Sequence, residues 1–238
     1  MTDPLGLSRR RVRQVLVGAK NDRSIAGRIE TFSRYFLGCL YKPFPLIGSV
    51  ETPEVFTASL DGFDCVTYIE TVLALSRAAT VDSFINGLRK IRYEHGRIEW
   101  KRRNHYMAGW IRNNLRDGTV RRIPASTAPT VTRERFLNVL PGLPARRASI
   151  RSVPKNALPR LARHLRTGDL IFFASTRNNL DFFHAGIIVC KGDHLLMRHA
   201  SRSQGCVVEQ DLADFLKKNR MAGVVVVRPT HRETLFGK

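Results

Sequence analysis

Hydrophobic positions change period partway along this 238-residue chain. From residue 24 to 40, Ile25, Ile29, Phe32, Phe36 and Leu40 recur at three- and four-residue steps, the spacing of one buried helical face. Lys42-Pro43-Phe44-Pro45 then ends helical structure, because proline removes a backbone donor and clashes with the preceding turn. Between Val66 and Ala79 there is no Pro or Gly, and Val66, Ile69, Val72, Leu73 and Leu75 predict a second helix. A third is expected around residues 81–92. Arg97-Ile98-Glu99-Trp100 reads as a short strand, and Tyr106 to Ile111 opens a short helix before Asp117-Gly118 turns the chain.

Beyond that turn the pattern loses its period. Pro124, Pro129, Pro141, Pro144, Pro154 and Pro159 punctuate residues 118–166, which therefore read as an elaboration and not as one long element. The last third is strand-like at residues 169–174, 185–190, 194–199 and 224–228, with a helix expected at 210–217. Helices followed by an antiparallel sheet predict an α+β domain. The expected organisation is a basic N-terminal extension over residues 1–23, one domain over 24–230 with an insertion at about 80–166, and a tail at 231–238. The chain has no internal repeat.

Charge changes the picture next, since 40 Lys and Arg against 20 Asp and Glu leave a net charge of +20. Such a surface attracts polyanions, whether nucleic acid or the anionic polymers of a bacterial envelope. No zinc finger, RNA-recognition signature or basic zipper accompanies it, so no specific nucleic-acid partner is expected. Four cysteines without a Cys-x-x-Cys pair or a histidine at ligand spacing give neither a zinc signature nor a disulfide scaffold. No metal or cofactor is expected. No apolar run approaches the roughly 20 residues of a membrane span, and Val15-Leu16-Val17-Gly18-Ala19 is too short, and too soon followed by Lys20, for a signal peptide. From this reading the protein either stays inside the cell or takes its export signal from outside this chain.

One cysteine stands where a loop turns into a helix. Asp64 suits an N-cap, and Cys65 then falls in the first turn, where unpaired backbone N–H groups and the helix dipole favour a thiolate. The expectation is a thiol pKa lowered toward neutrality and selective alkylation of Cys65. A small buried core residue is the plain alternative. None of Cys39, Cys190 and Cys206 starts a predicted helix.

A cysteine nucleophile needs a base, and two histidines lie on adjacent predicted strands. If Gly192-Asp193 forms a two-residue hairpin loop, Lys191 pairs with His194. His184 then faces Ser201 and lies diagonally from His199 on one sheet face, about 7–8 Å apart at Cα. A one-residue slip would put them on opposite faces. In that register His184 takes the proton from Cys65 and His199 orients the His184 ring. Alone, His184 would be a strand-edge residue and His199 a partner of Ser201 or Ser203. For substrate contact, Asn104, His105 and Tyr106 offer a carboxamide, an imidazole and a phenol, and Arg103 a bidentate fork for a carboxylate. Tyr106 and Trp110, four apart, equally suit core packing, and an arginine in a basic run is usually solvated.

In order along the chain, Asp64-Cys65, Gly168 to Phe173, His184 to Val189 and Arg198-His199-Ala200-Ser201 resemble the NlpC-type papain-like cell-wall cysteine hydrolases. More closely, Phe32 to Gly38, Phe63 to Glu70, Ile91-Arg92-Tyr93 and Arg103 to Met107 resemble their N-acetylmuramoyl-L-alanine amidase-like branch, over about residues 28–229. The resemblance implies a papain-like NlpC-type α+β fold, with N-terminal helices packed on an antiparallel sheet and a large insertion between the nucleophile helix and the histidine strand. It implies metal-free cleavage of the amide between N-acetylmuramic acid and L-alanine in peptidoglycan or muropeptides, through a thioester. Cys65 is then nucleophile, His184 base and His199 the third member. Asp64, Arg103, Asn104, His105 and Tyr106 are the substrate-binding candidates. The family's habit favours the cell envelope. Two rivals remain at this point: a γ-D-glutamyl-diamino acid endopeptidase of the same superfamily, and a non-catalytic cationic protein that binds nucleic acid or wall polyanions.

Overall fold

The computed structural model describes residues 6–123 and 128–231. Its helices are α1 (Arg9–Gly18), α2 (Ile25–Tyr35), α3 (Cys65–Ser76), α4 (Val81–Arg92), α5 (Met107–Arg116), α6 (Leu158–Ala162) and α7 (Leu212–Lys218). Its strands are β1 (Val120–Arg122), β2 (Val131–Leu137), β3 (Arg146–Ser152), β4 (Leu170–Ala174), β5 (Phe182–Lys191), β6 (His194–Ser201), β7 (Cys206–Asp211) and β8 (Gly223–Pro229). Six strands form one antiparallel sheet in the order β1-β8-β4-β5-β6-β7, and β2 pairs only with β3. The expected α+β arrangement of helices against an antiparallel sheet is present.

Burial explains the layering. Thr67 to Ser76 are all buried, so α3 is a central helix, wrapped by α2, α4 and the sheet. The α2 stripe of Ile29, Phe32 and Phe36 joins the same core, as do Phe172, Ala185 and Ile187 from one sheet face. The opposite face carries Ile171, Phe173, Ile188 and Met197 under α6 and α7. Within the stretch read as an extension, α1 buries Val12, Val15 and Leu16 in the main core. Arg198, itself buried on β6, ties the sheet to α2. Its guanidinium donates to the Glu30 carbonyl at 2.8 Å and to Ser33 Oγ at 2.8 Å, and its Nε to Glu209 at 2.8 Å.

Several sequence expectations need correction. The helix expected to run to residue 79 ends at Ser76, because Thr80 and Ser83 form a capping box that starts α4. Leu40 does not continue the α2 stripe; it is exposed, and its carbonyl accepts from the Phe63 N–H at 3.0 Å. Arg97 to Trp100 is not a strand. His95 and Gly96 both adopt positive φ, at 55° and 65°, and short 3₁₀ turns at Glu94–Gly96 and Trp100–Arg102 flank the segment. Gln210 and Asp211 belong to β7, and Asp211 caps a helix that begins only at Leu212.

The elaboration at 118–166 holds more order than its prolines imply. It supplies the sheet's edge strand β1, the β2–β3 hairpin and α6. Both hairpin strands are largely exposed, which is why their hydrophobic alternation is faint in the sequence. Pro124 and the tail residues 232–238 lie outside the described residues.

Candidate functional site

Local sequence places Cys65 first in its helix. Asp64 is extended, and its Oδ1 accepts from the Val66 and Thr67 N–H groups at 3.0 and 2.7 Å and from the Thr67 hydroxyl at 2.8 Å. Thr67 Oγ1 in return accepts from the Asp64 N–H at 3.0 Å, which closes a capping box. The half-buried Cys65 thiol stands against β5, where the Ala185 N–H points at the sulfur together with those of Cys65 and Val66.

These donors do not make a resting thiolate. Burial pushes the Cys65 thiol up to about 12, and the neighbouring Asp64 carboxylate adds to the rise, outweighing the three N–H groups that pull it down. The expected low pKa is therefore corrected: the residue type that caps the helix also places a negative charge beside the sulfur.

The hairpin register holds as expected from the turn to Ile187, where the ladder ends short of the expected His184–Ser201 pair. Lys191 pairs with His194 and Ile187 with Arg198, with Gly192 at φ 56° in the turn. His184 and His199 share a face, His184 Nε2 lying 2.7 Å from His199 Nδ1 with the rings at 88°. His184 is stacked against Phe173 and Phe215, at 6.2 and 5.5 Å between ring centres. Burial in this aromatic slot, with His199 alongside, lowers the His184 pKa to about 3. Burial likewise lowers His199.

A further hydrogen-bond partner of the histidine pair was not legible in the sequence. His199 Nε2 lies 2.9 Å from Gln210 Oε1, diagonally across the β6–β7 ladder. An amide oxygen only accepts, so His199 Nε2 carries the proton and His199 Nδ1 offers a lone pair. His184 must then donate from Nε2, which leaves its Nδ1 unprotonated. The tautomer of both rings follows from one carboxamide. Had β7 been recognised, the i, j±2 neighbour rule would have found Gln210.

The remaining sequence candidates form a separate cluster, and most of its polar atoms are already engaged. Arg103 pairs with Glu54 at 3.0 Å and lies over the Trp100 ring at 4.5 Å. Asn104 donates to the Ile91 carbonyl at 3.1 Å and accepts from Asn113 at 2.7 Å. Tyr106 is buried, and its hydroxyl accepts from the Val139 N–H at 3.1 Å. His105 Nε2 is 2.7 Å from the Trp100 carbonyl, and burial lowers its pKa to about 4. Asp181, just before β5, accepts from the Ala108 N–H of α5 at 2.7 Å and so ties that helix to the strand. Among the described residues no group of three or more His, Cys, Asp or Glu side chains could hold a metal ion. No described helix is long and apolar enough to cross a membrane.

An α+β protein with a thiol at the start of a central helix, set against β5, and a hydrogen-bonded histidine pair on the antiparallel sheet is the class that fold and site define. Within it, the chain belongs to the AmiA-like, N-acetylmuramoyl-L-alanine amidase-like family, whose model matches residues 31–224. A Legionella pneumophila protein of known structure superposes with a TM-score of 0.81 at 22% identity, covering 94% of this chain and 96% of its own. An N-acetylmuramoyl-L-alanine amidase from Bacteroides uniformis superposes with a TM-score of 0.76 at 26% identity, covering 87% of this chain and 99% of its own. No curated protein sequence matches the chain.

Proposed function

We propose that the protein is a cysteine amidase of the papain-like NlpC type that cuts the bond between N-acetylmuramic acid and L-alanine in peptidoglycan or muropeptides. Family membership and the Bacteroides amidase support the substrate class. The observation that carries the mechanism is the line from Gln210 through His199 to His184, whose polarity leaves His184 Nδ1 as a free base.

As Cys65 Sγ attacks the amide carbonyl, its proton passes to His184 Nδ1 and the carbonyl oxygen takes negative charge. The Cys65 N–H and a neighbouring donor stabilise that oxyanion. His184 then delivers the proton to the departing amine of L-alanine, leaving a thioester on Cys65. Water, deprotonated by His184, cleaves the thioester and returns the thiol. Because Cys65 and His184 rest as a neutral pair, proton transfer accompanies attack and does not precede it. Substrate contact by residues 103–106 belongs to the same proposal. It falls on His105, which keeps its second ring nitrogen beyond the Trp100 bond.

The test is mass spectrometry of the products from one defined muropeptide. A peptide with a free L-alanine amino terminus is expected from the native protein and no product from Cys65→Ala. Cleavage between D-glutamate and the diamino acid would instead establish the endopeptidase. Turnover by Cys65→Ala would overturn the nucleophile, and steeply salt-dependent polyanion binding without product would favour the non-catalytic reading.

A further inference from the structure

A cavity of about 420 Å³ opens between α5, β1, β3 and β8, and five arginines line it: Arg112, Arg122, Arg146, Arg147 and Arg151. Among the described residues no Asp or Glu lines it, and neither Cys65, His184 nor His199 does. We propose that this cavity binds a small organic ligand carrying two or more oxyanion groups, phosphate or carboxylate, beside an apolar portion.

Three of the guanidinium groups reach it from three different elements. Arg122 pairs with the buried Val227 across the β1–β8 ladder and follows buried Val120 by two residues, so it shares their face, toward α5. Arg146 comes from β3 and lies over the Tyr106 ring at 5.2 Å. It approaches α5 at Gly109, where an added Cβ would stand 3.2 Å from its Nη2. Arg112 lies on α5 itself, one residue past Ile111. Arg151 donates to Thr130 Oγ1 at 2.8 Å, which fixes the β3 rim. Asp181 is the acid that Arg146 feels, but its carboxylate already accepts from the Ala108 and Phe182 N–H groups at 2.7 Å each.

Five like charges with a single acid near one of them repel, and an anion relieves that repulsion. Arginine forks match carboxylate and phosphate oxygens in pairs. The cavity's apolar floor, Ile111, Ile150, Phe182 and Val225, suits the carbon frame of an organic anion better than a bare ion. The other basic cavities differ in this respect. In the one beside Arg121 and Arg163, Arg228 is paired with Asp169 at 2.7 Å; in the one between α1 and α4, Arg9 is paired with Asp82 at 2.5 Å.

The inference is independent of the amidase reading and is tested without turnover. Calorimetric titration of the full-length protein with pyrophosphate and with citrate should give saturable binding of at least one, weakened at least tenfold in Arg112→Gln/Arg122→Gln. Both residues are exposed, so the variant should keep its circular dichroism spectrum. Arg146→Lys, which keeps the charge and loses the fork, should weaken binding by a smaller factor. Pyrophosphate alone would identify phosphate groups as the source, and citrate alone carboxylates. Saturable binding of neither, or equal binding by the double variant, would overturn the site.

Discussion

Among the polar groups that helix α3 carries inward are Cys65 at its start and Glu70 just over a turn later, and the protein treats these two oppositely. Glu70 is buried with a full counter-charge: Arg92 Nε lies 2.7 Å from its Oε2, and Trp110 donates to Oε1 at 3.2 Å. Burial pushes the Glu70 carboxyl above its ordinary value, and the Arg92 guanidinium pulls it back. Cys65 has no cation at its side. With His184 it meets burial by keeping both groups neutral. A paired charge is a fixed structural element, whereas a neutral thiol and a neutral imidazole avoid the cost of a buried charge at rest. The middle of the helix is thus held by a fixed ion pair, and its start carries the neutral thiol on which the proposed chemistry rests.

The sharpest break in this contrast is Cys65→Ala, expected to remove all detectable hydrolysis while leaving the melting temperature within a few degrees. Arg92→Ala should do the reverse. It strands a buried carboxylate and should cost about 3–5 kcal/mol, read by urea unfolding, and the protein that remains folded should keep its activity. Gln210→Leu keeps the shape beside His199 but withdraws the acceptor that sets both tautomers. A loss of about 1–3 kcal/mol in transition-state stabilisation, roughly tenfold or more in kcat, is expected with KM unchanged; an unaltered kcat would remove Gln210 from the relay.

pH sharpens the comparison further. His184 and His199 have folded pKa values below the unfolded value of about 6.5. The unfolded chain then binds more protons in that window, so stability should be full above pH 6.5 and fall as pH drops from there toward 3. In His184→Phe the slope should flatten by about one proton. The smallest effect expected is on thiol labelling. At neutral pH iodoacetamide should modify Cys65 no faster than Cys206, and markedly faster labelling would show a resting thiolate.

The parts of the fold that were legible in sequence are those with one strongly buried face. α4 falls at residues 81–92 as expected, and the β5–β6 register follows from the Gly192-Asp193 turn. What stayed hidden lacks that contrast. β7 is half-buried along most of its length, so Gln210 was absorbed into the helix beside it. The β2–β3 hairpin shows mainly polar side chains to solvent. Cys65 and its Asp64 cap were visible, but the sign of the thiol's shift was not, since it depends on how deeply tertiary packing buries the sulfur. In the Arg103 to Tyr106 cluster the chemistry was legible, and packing was legible for Tyr106, but the partners of Arg103 and Asn104 were not. Glu54 and Asn113, which occupy Arg103 and Asn104, lie far from them or out of pattern in sequence.

The two-residue turn at Gly192-Asp193 lies on the surface, yet its length decides which side of the sheet carries His199. One residue gained there, unless a bulge absorbs it, rotates β6 by half a pleat and turns His199 to the helix α3 side of the sheet, while Arg198 loses its grip on α2. A length change confined to this exposed loop would therefore part His199 from both His184 and Gln210.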